Sequence, residues 1–355
     1  MNNNLIIKNV KKLISAILLL VVITGILAGC GNSKNKEAAS QNNTEFKYGK
    51  IDIPGKQGSL CAAPIYIAYE KGFFKEEGFD VNLISADTET RKIGLNNGTI
   101  PIVNGDFQFF PSIENDVKVK VVDGLHYGCI KLLVPKDSPI QGVEDLRGKK
   151  ISVDEIGGTP HQVAAVWLEK NGISAREEDK EVTFLPFDDG NLAVEALRKG
   201  EVDVAALWDP YASVQEKTGD YRVILDISVD EPFAGKYCCF LYASEKLLNE
   251  KPEHVAALLR AYRKAQDWIA KNPEETVDII INGKYSQIED RELAIELIKN
   301  YRYPTFEDRE KNPGQVRENV QYFAEQLHQI GYLSTDPESF TEKAYADVDV
   351  SLDID

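Results

Sequence analysis

Hydrophobic residues fall into three regimes along the 355-residue chain. Leu13 to Leu27 is one uncharged run, mostly Ile, Leu and Val, behind Lys8, Lys11 and Lys12. Residues 31–44 then carry no apolar side chain larger than alanine and no periodicity, the composition of a flexible tether. Ordered structure is expected from about Phe46, where short apolar runs begin to alternate with helical periodicity. One pattern is used twice. Leu95-x-x-Gly98-x-Ile100-x-Ile102 recurs 102 positions later as Leu197-x-x-Gly200-x-Val202-x-Val204. Each copy reads as a helix end, a terminating glycine and a buried strand. Upstream, Phe79–Leu83 and Glu181–Leu185 are strand-like. Helices open at Ala63-Pro64 and Thr159-Pro160, with proline at the first helical position.

Each copy is thus strand, helix, strand, helix, strand: an α/β unit with a largely parallel sheet. Two copies predict two similar lobes facing each other. In open α/β sheets the ligand lies beyond the carboxyl ends of the strands, so the cleft should be lined by strand-to-helix turns. Strands centred on Ile130 and Phe240 are the candidate hinge crossings. From Pro252 onward Val255–Ala270, Glu274–Ile281, Arg291–Tyr301 and Val316–Ile330 show helical spacing, a C-terminal helical cluster expected to pack on the first lobe. The expected organisation is 1–29 signal peptide, 30–45 tether, 46–133 with 236–355 as lobe 1, and 134–235 as lobe 2.

Charge narrows the function classes. The chain has 41 basic and 57 acidic residues, and removing residues 1–29 takes away three lysines and leaves a net −19. A body that acidic does not bind nucleic acid through its global field. The basic start, the apolar run and the Leu27-Ala28-Gly29-Cys30 ending form a secretory signal. The ending resembles the bacterial lipobox, which implies lipidation of Cys30 and an exported body anchored on the outer face of the cytoplasmic membrane. The alternative, a retained membrane span, is disfavoured by the short run and the small-small-Cys ending. Cys61, Cys129, Cys238 and Cys239 match no zinc spacing, so buried neutral thiols are expected and no metal or cofactor. Phosphate-loop, dinucleotide, nucleophile-elbow and HExxH motifs are missing, so no catalytic residue is nominated.

Several segments then resemble one family. Ala62–Gly78 is similar to the first helix of the nitrate, aliphatic-sulfonate, taurine and pyrimidine-precursor binding proteins of bacterial ABC importers. Val143–Ile151 resembles that family's entry into the second lobe, Gly157-Gly158-Thr159-Pro160 its ligand loop and Gly200–Val204 a late strand. Ala270–Glu275 and Asp347-Val348-Asp349 also fit. The resemblance runs from about residue 47 to the end. It implies a two-lobed periplasmic-binding-protein type II fold. It also implies a monomeric solute-binding lipoprotein that hands a small polar organic solute to a permease and, through it, a cytoplasmic ATPase. The rivals are an enzyme on the same fold, such as a pyrimidine-precursor synthase, and a surface sensor lipoprotein.

The candidate ligand contacts follow from the turns. Gln57, Ser59 and Cys61 belong to the first lobe's turn, and Gly158, Thr159, Pro160 and His161 to the second's. Free N–H groups at a helix start favour an anion, although a plain Thr cap explains the same residues. Gly105-Asp106 and Trp208-Asp209 end the repeated strands, where an aromatic beside a carboxylate suits a flat ring or an amine. Core packing for Trp208 and helix capping for Asp209 are the competing readings. His126, Tyr127 and Tyr237 lie at the expected crossings. A zwitterion or an amino-pyrimidine would satisfy both the anionic and the cationic signals.

Overall fold

The computed structural model describes residues 46–55 and 58–351. The signal, Cys30, the tether and Gln57 lie outside the described residues. The strands are β1 (Gly49–Pro54), β2 (Phe79–Ile84), β3 (Ile102–Asp106), β4 (Val119–His126), β5 (Ile130–Pro135), β6 (Lys150–Val153), β7 (Thr183–Pro186), β8 (Val204–Trp208), β9 (Tyr221–Asp226) and β10 (Cys239–Ser244). They form a β1-β2 pair, a β3-β10-β4 sheet and a five-stranded β7-β6-β8-β5-β9 sheet. Helices cover both sheet systems, which gives the two-lobed α/β architecture the repeat predicts.

The sheets are mixed rather than largely parallel. β6 runs parallel to β7 and β8, as the repeated unit requires, and β1 runs parallel to β2. The strands at the crossings reverse this. β5 is antiparallel to β8 and β9, and β10 is antiparallel to β3 and β4. A parallel neighbour needs a helical crossover, whereas these strands enter from the opposite lobe. β5 pairs wholly within the five-stranded sheet, so the chain leaves the first sheet at Tyr127–Cys129, ahead of the expected 133/134 boundary. It returns between Ile227 and Cys238. The two passages press together: a Cβ on Gly128 would lie 2.4 Å from the Ser228 nitrogen.

Local chemistry accounts for the elements. Both repeated glycines are left-handed, Gly98 at φ 80° and Gly200 at φ 71°, and close their helices. Asp189 caps Gly190–Lys199 by accepting from Asn191 N at 2.7 Å. β10 is buried along its whole length, because Phe240, Leu241, Tyr242 and Ala243 are covered on both faces. Helix Pro252–Lys271 packs on Ala63–Glu70 and Phe73–Glu76, placing the C-terminal cluster on the first lobe. Helix Gln315–Gln329 lies on β4 and also reaches helix Thr159–Lys170 of the second lobe. Among the described residues, no helix is long and apolar enough to cross a membrane.

Candidate functional site

A cavity of about 1110 Å³ opens where the carboxyl ends of β3, β6 and β8 converge. Its walls include Ser59 and Cys61 from the turn ahead of helix Ala63–Glu70, Gly105 and Asp106 from β3, Asp154 after β6, and Trp208 and Asp209 from β8. Arg91, on helix Thr88–Asn97, and a Gln287–Asp290 loop complete it. Gly105 leaves little room for a side chain, since a Cβ would press on the Phe109 and Tyr242 rings at 3.1 Å.

The carboxyls at the strand ends define the electrostatics. Asp106 is only 5% exposed, and it accepts from the Thr159 hydroxyl and from Gln108 N at 3.0 Å. Burial lifts its carboxyl to about 7, against the pull of the Thr159 hydrogen bond and the Arg91 charge. Asp209 accepts from Ser213 N at 3.1 Å and Ser213 Oγ at 2.7 Å, and burial raises it to about 6. Asp154 is also pushed up by burial. Its Oδ2 accepts from Trp208 Nε1 at 3.1 Å and its Oδ1 has no partner. Arg91 donates to Asn104 O at 3.1 Å and Thr88 Oγ1 at 3.2 Å, and its Nε is unpartnered. Among the described lining residues, seven carboxyls face one guanidinium. Such a wall suits a ligand with hydrogen-bond donors or positive charge more than a bare anion.

Of the nominated residues, Ser59, Cys61, Gly105, Asp106, Trp208 and Asp209 meet at this cavity. Trp208 is half-buried and bonded to Asp154, which places its indole between core and cavity. Gly158, Thr159, Pro160, His161, His126, Tyr127 and Tyr237 are not among the lining residues. The helix start at Gly158–Thr159 is turned to protein partners: Gly158 N donates to Glu155 O, and Thr159 reaches across to Asp106. His161 Nδ1 accepts from Gly157 N at 2.8 Å and lies 2.8 Å from the Tyr332 hydroxyl, with burial lowering its pKa to about 4. Tyr127 and Tyr237 stack with ring centroids 4.8 Å apart, and both hydroxyls donate to Gln315 Oε1. His126, Cys129 and Cys238 sit behind the cavity floor, fully buried, while Cys61 and Cys239 reach the floor itself.

Sequence reasoning missed Arg91, Asn104 and Asp154. Asp154 follows β6 as Asp106 and Asp209 end β3 and β8, so the strand-end rule could have found it. Arg91 carries no such signal, because it reads as an ordinary polar position of an exposed helix.

Known proteins match this architecture. A Bacillus subtilis (strain 168) protein named as an aliphatic sulfonates-binding protein is 26% identical over 287 residues, 77% of this chain and 78% of that protein. The solved periplasmic aliphatic sulphonate binding protein SsuA from Escherichia coli superposes with TM-score 0.67 at 16% identity, over 84% of this chain and 92% of that one. The periplasmic nitrate-binding protein NrtA from Synechocystis PCC 6803 gives 0.64 at 18%, over 83% and 85%. The desulfurization enzyme DSZB gives 0.59 at 15%, over 83% and 96%. These superpositions establish the periplasmic-binding-protein fold. The family model described as NMT1/THI5 like matches residues 61–276, more than half of the chain. The chain belongs to the NMT1/THI5-like family.

Proposed function

We propose that this chain is an exported, lipid-anchored solute-binding protein that captures a small polar organic solute and presents it to an ABC permease. The observation that carries the reading is the cavity walled by strand ends from both sheet systems, with buried carboxyls contributed by each. A solute held there touches both lobes at once. It favours the closed arrangement by its differential affinity for that state. The lobes would hinge on the passages at Tyr127–Cys129 and 227–238, which run close together at Gly128 and Ser228. Lipidation of Cys30 would supply the anchor.

Charge selects among the candidate solutes. Asp106, Asp154 and Asp209 accept hydrogen bonds or pair with cations, and their raised pKa values let each also donate when protonated. An amino-heteroaromatic ring fits best. Its exocyclic amine and ring nitrogens pair with these carboxyls, and its face lies on Trp208. An alkanesulfonate without an amine would leave the carboxyls unpaired and rely on Arg91 alone.

The test is mass spectrometry of solute released from natively purified protein. Calorimetric titration with an aminopyrimidine, taurine, an alkanesulfonate and nitrate accompanies it. Binding of the aminopyrimidine, recovered unchanged, is the expected result. Preferential binding of nitrate or the alkanesulfonate would overturn the ligand assignment, and recovery of a converted product would move the chain to the enzymes.

A further inference from the structure

The cavity floor holds a second constellation that solute capture does not use. Cys61, His126 and Cys129 bring three donor atoms within 4.8 Å of one another, and Cys129, Cys238 and Cys239 form a second such set. All five residues are buried, and none of the four cysteines is in a disulfide. Cys129 Sγ and Cys238 Sγ are 3.5 Å apart. Four thiols from three segments of the chain therefore converge through Cys129, beside His126, at the junction of the two passages between lobes.

His126 is the telling member. Its side chain has no exposure, and its Nδ1 faces the Tyr127 carbonyl, which can only accept. The ring proton is therefore on Nδ1. In the neutral ring Nε2 then carries the lone pair, and it has no hydrogen-bond partner. An imidazole fixed in this tautomer by a backbone carbonyl, with a ring nitrogen within 4.8 Å of two cysteine sulfurs, is the arrangement that metal-ligating histidines use. A lone buried acceptor otherwise costs about 1–3 kcal/mol.

We propose that Cys61, His126 and Cys129, with Cys238 or Cys239 at the fourth position, bind one thiophilic d10 cation, Zn²⁺ or Cu⁺. The donor set is soft thiolate plus imidazole, which those ions prefer over Mg²⁺ or Ca²⁺. The spacing is right: tetrahedral zinc with bonds of about 2.3 Å sets its sulfurs about 3.8 Å apart. Each coordinating thiol exchanges its S–H bond for an S–metal bond and gives its proton to solvent. Cys61 and Cys239 line the cavity, so the acidic wall is the entry path. The sequence places these cysteines near the expected cleft but shows no metal-ligand spacing, because they come from three separate segments that only folding unites.

The test uses protein purified without oxygen in a phosphine reductant, with no organic solute present, so its outcome is separate from that of solute capture. Co²⁺ serves as optical reporter, followed by displacement with Zn²⁺, and a chromophoric copper(I) chelator reports the Cu⁺ arm. Expected are one equivalent bound, a thiolate-to-cobalt charge-transfer band, and protection of Cys61 and Cys129 from alkylation read by mass spectrometry. Cys129→Ser and His126→Gln should each weaken binding by at least about tenfold. If Cys129→Ser does not fold, His126→Gln and the alkylation footprint of the unaltered protein decide. No charge-transfer band and no protection by either ion would overturn the proposal. So would undiminished binding in His126→Gln, which would leave the ion to the thiols alone or to the cleft carboxyls. A Cys129–Cys238 disulfide that persists in reductant would overturn it as well.

Discussion

Asp209 gives stability a pH dependence that one substitution isolates. Its carboxyl is raised to about 6 because it is buried, while the unfolded chain would titrate near 3.9. The folded state therefore binds the proton more tightly than the unfolded state. Stability from this group is fully present below about pH 4 and is lost as pH rises through about 6. The difference of about two units corresponds to about 3 kcal/mol, and the 7% exposure leaves little solvent screening to reduce it. Asp209→Asn keeps the acceptor oxygen for Ser213 N and Oγ but removes the titration. Asp106, raised to about 7, acts in the same direction, and His161, lowered to about 4, acts oppositely by losing stability as pH falls. Both remain in the variant, so the difference between the two proteins reports Asp209. Urea unfolding of each protein between pH 4 and pH 7.5 is the assay. The variant should gain on the parent by about 3 kcal/mol across that range, with most of the change between about 4 and 6. A constant difference would refute the argument, and a change of opposite sign would show that the carboxylate is the favoured buried form.

Trp208→Ala should weaken solute binding by about 1–3 kcal/mol in calorimetry, because the indole borders the cavity and donates to Asp154. Its stability loss should fall below the roughly 3–5 kcal/mol of a fully buried tryptophan; unaltered affinity with a large stability loss would return the residue to the core. Thr159→Val removes the hydroxyl that reaches Asp106 across the lobes. Small-angle scattering should then report a larger radius of gyration, with affinity lower by about 1 kcal/mol; an unchanged radius and affinity would remove Thr159 from closure. Cys30→Ser should release the protein from membranes and leave it unacylated in intact-mass measurement, and equal retention of both forms would count against the anchor.

The repeat was legible because it uses hard signals. Gly98 and Gly200 need left-handed backbone, and the strands that follow each open on apolar residues, Ile102-Val103 and Val204–Leu207. Asp106, Trp208 and Asp209 were legible for the same reason, since a strand end is visible in sequence and clefts form there. The mixed direction of the sheets was not, because β5 and β10 look like any buried strand and direction is set by which lobe the chain arrives from. His161 and Thr159 were placed correctly at a helix start, yet their partners, Tyr332 and Asp106, come from elements 171 and 53 residues away. No local pattern encodes such meetings. The cysteine cluster is the extreme case, since it is assembled from three separate segments.

The position of β10 has a consequence for how the chain can be made. It lies between β3 and β4 and pairs with both, yet it comes more than a hundred residues after them. Until residues 239–244 arrive, β3 and β4 have no neighbour in their sheet, and the first lobe cannot close its core. The five strands of the second lobe are contiguous, so that lobe can mature while the first waits. Long-range pairing of this kind is slow, because loop closure precedes any reward. For the exported protein proposed above, the delay has a use: the first lobe stays open until the last third of the chain completes its sheet.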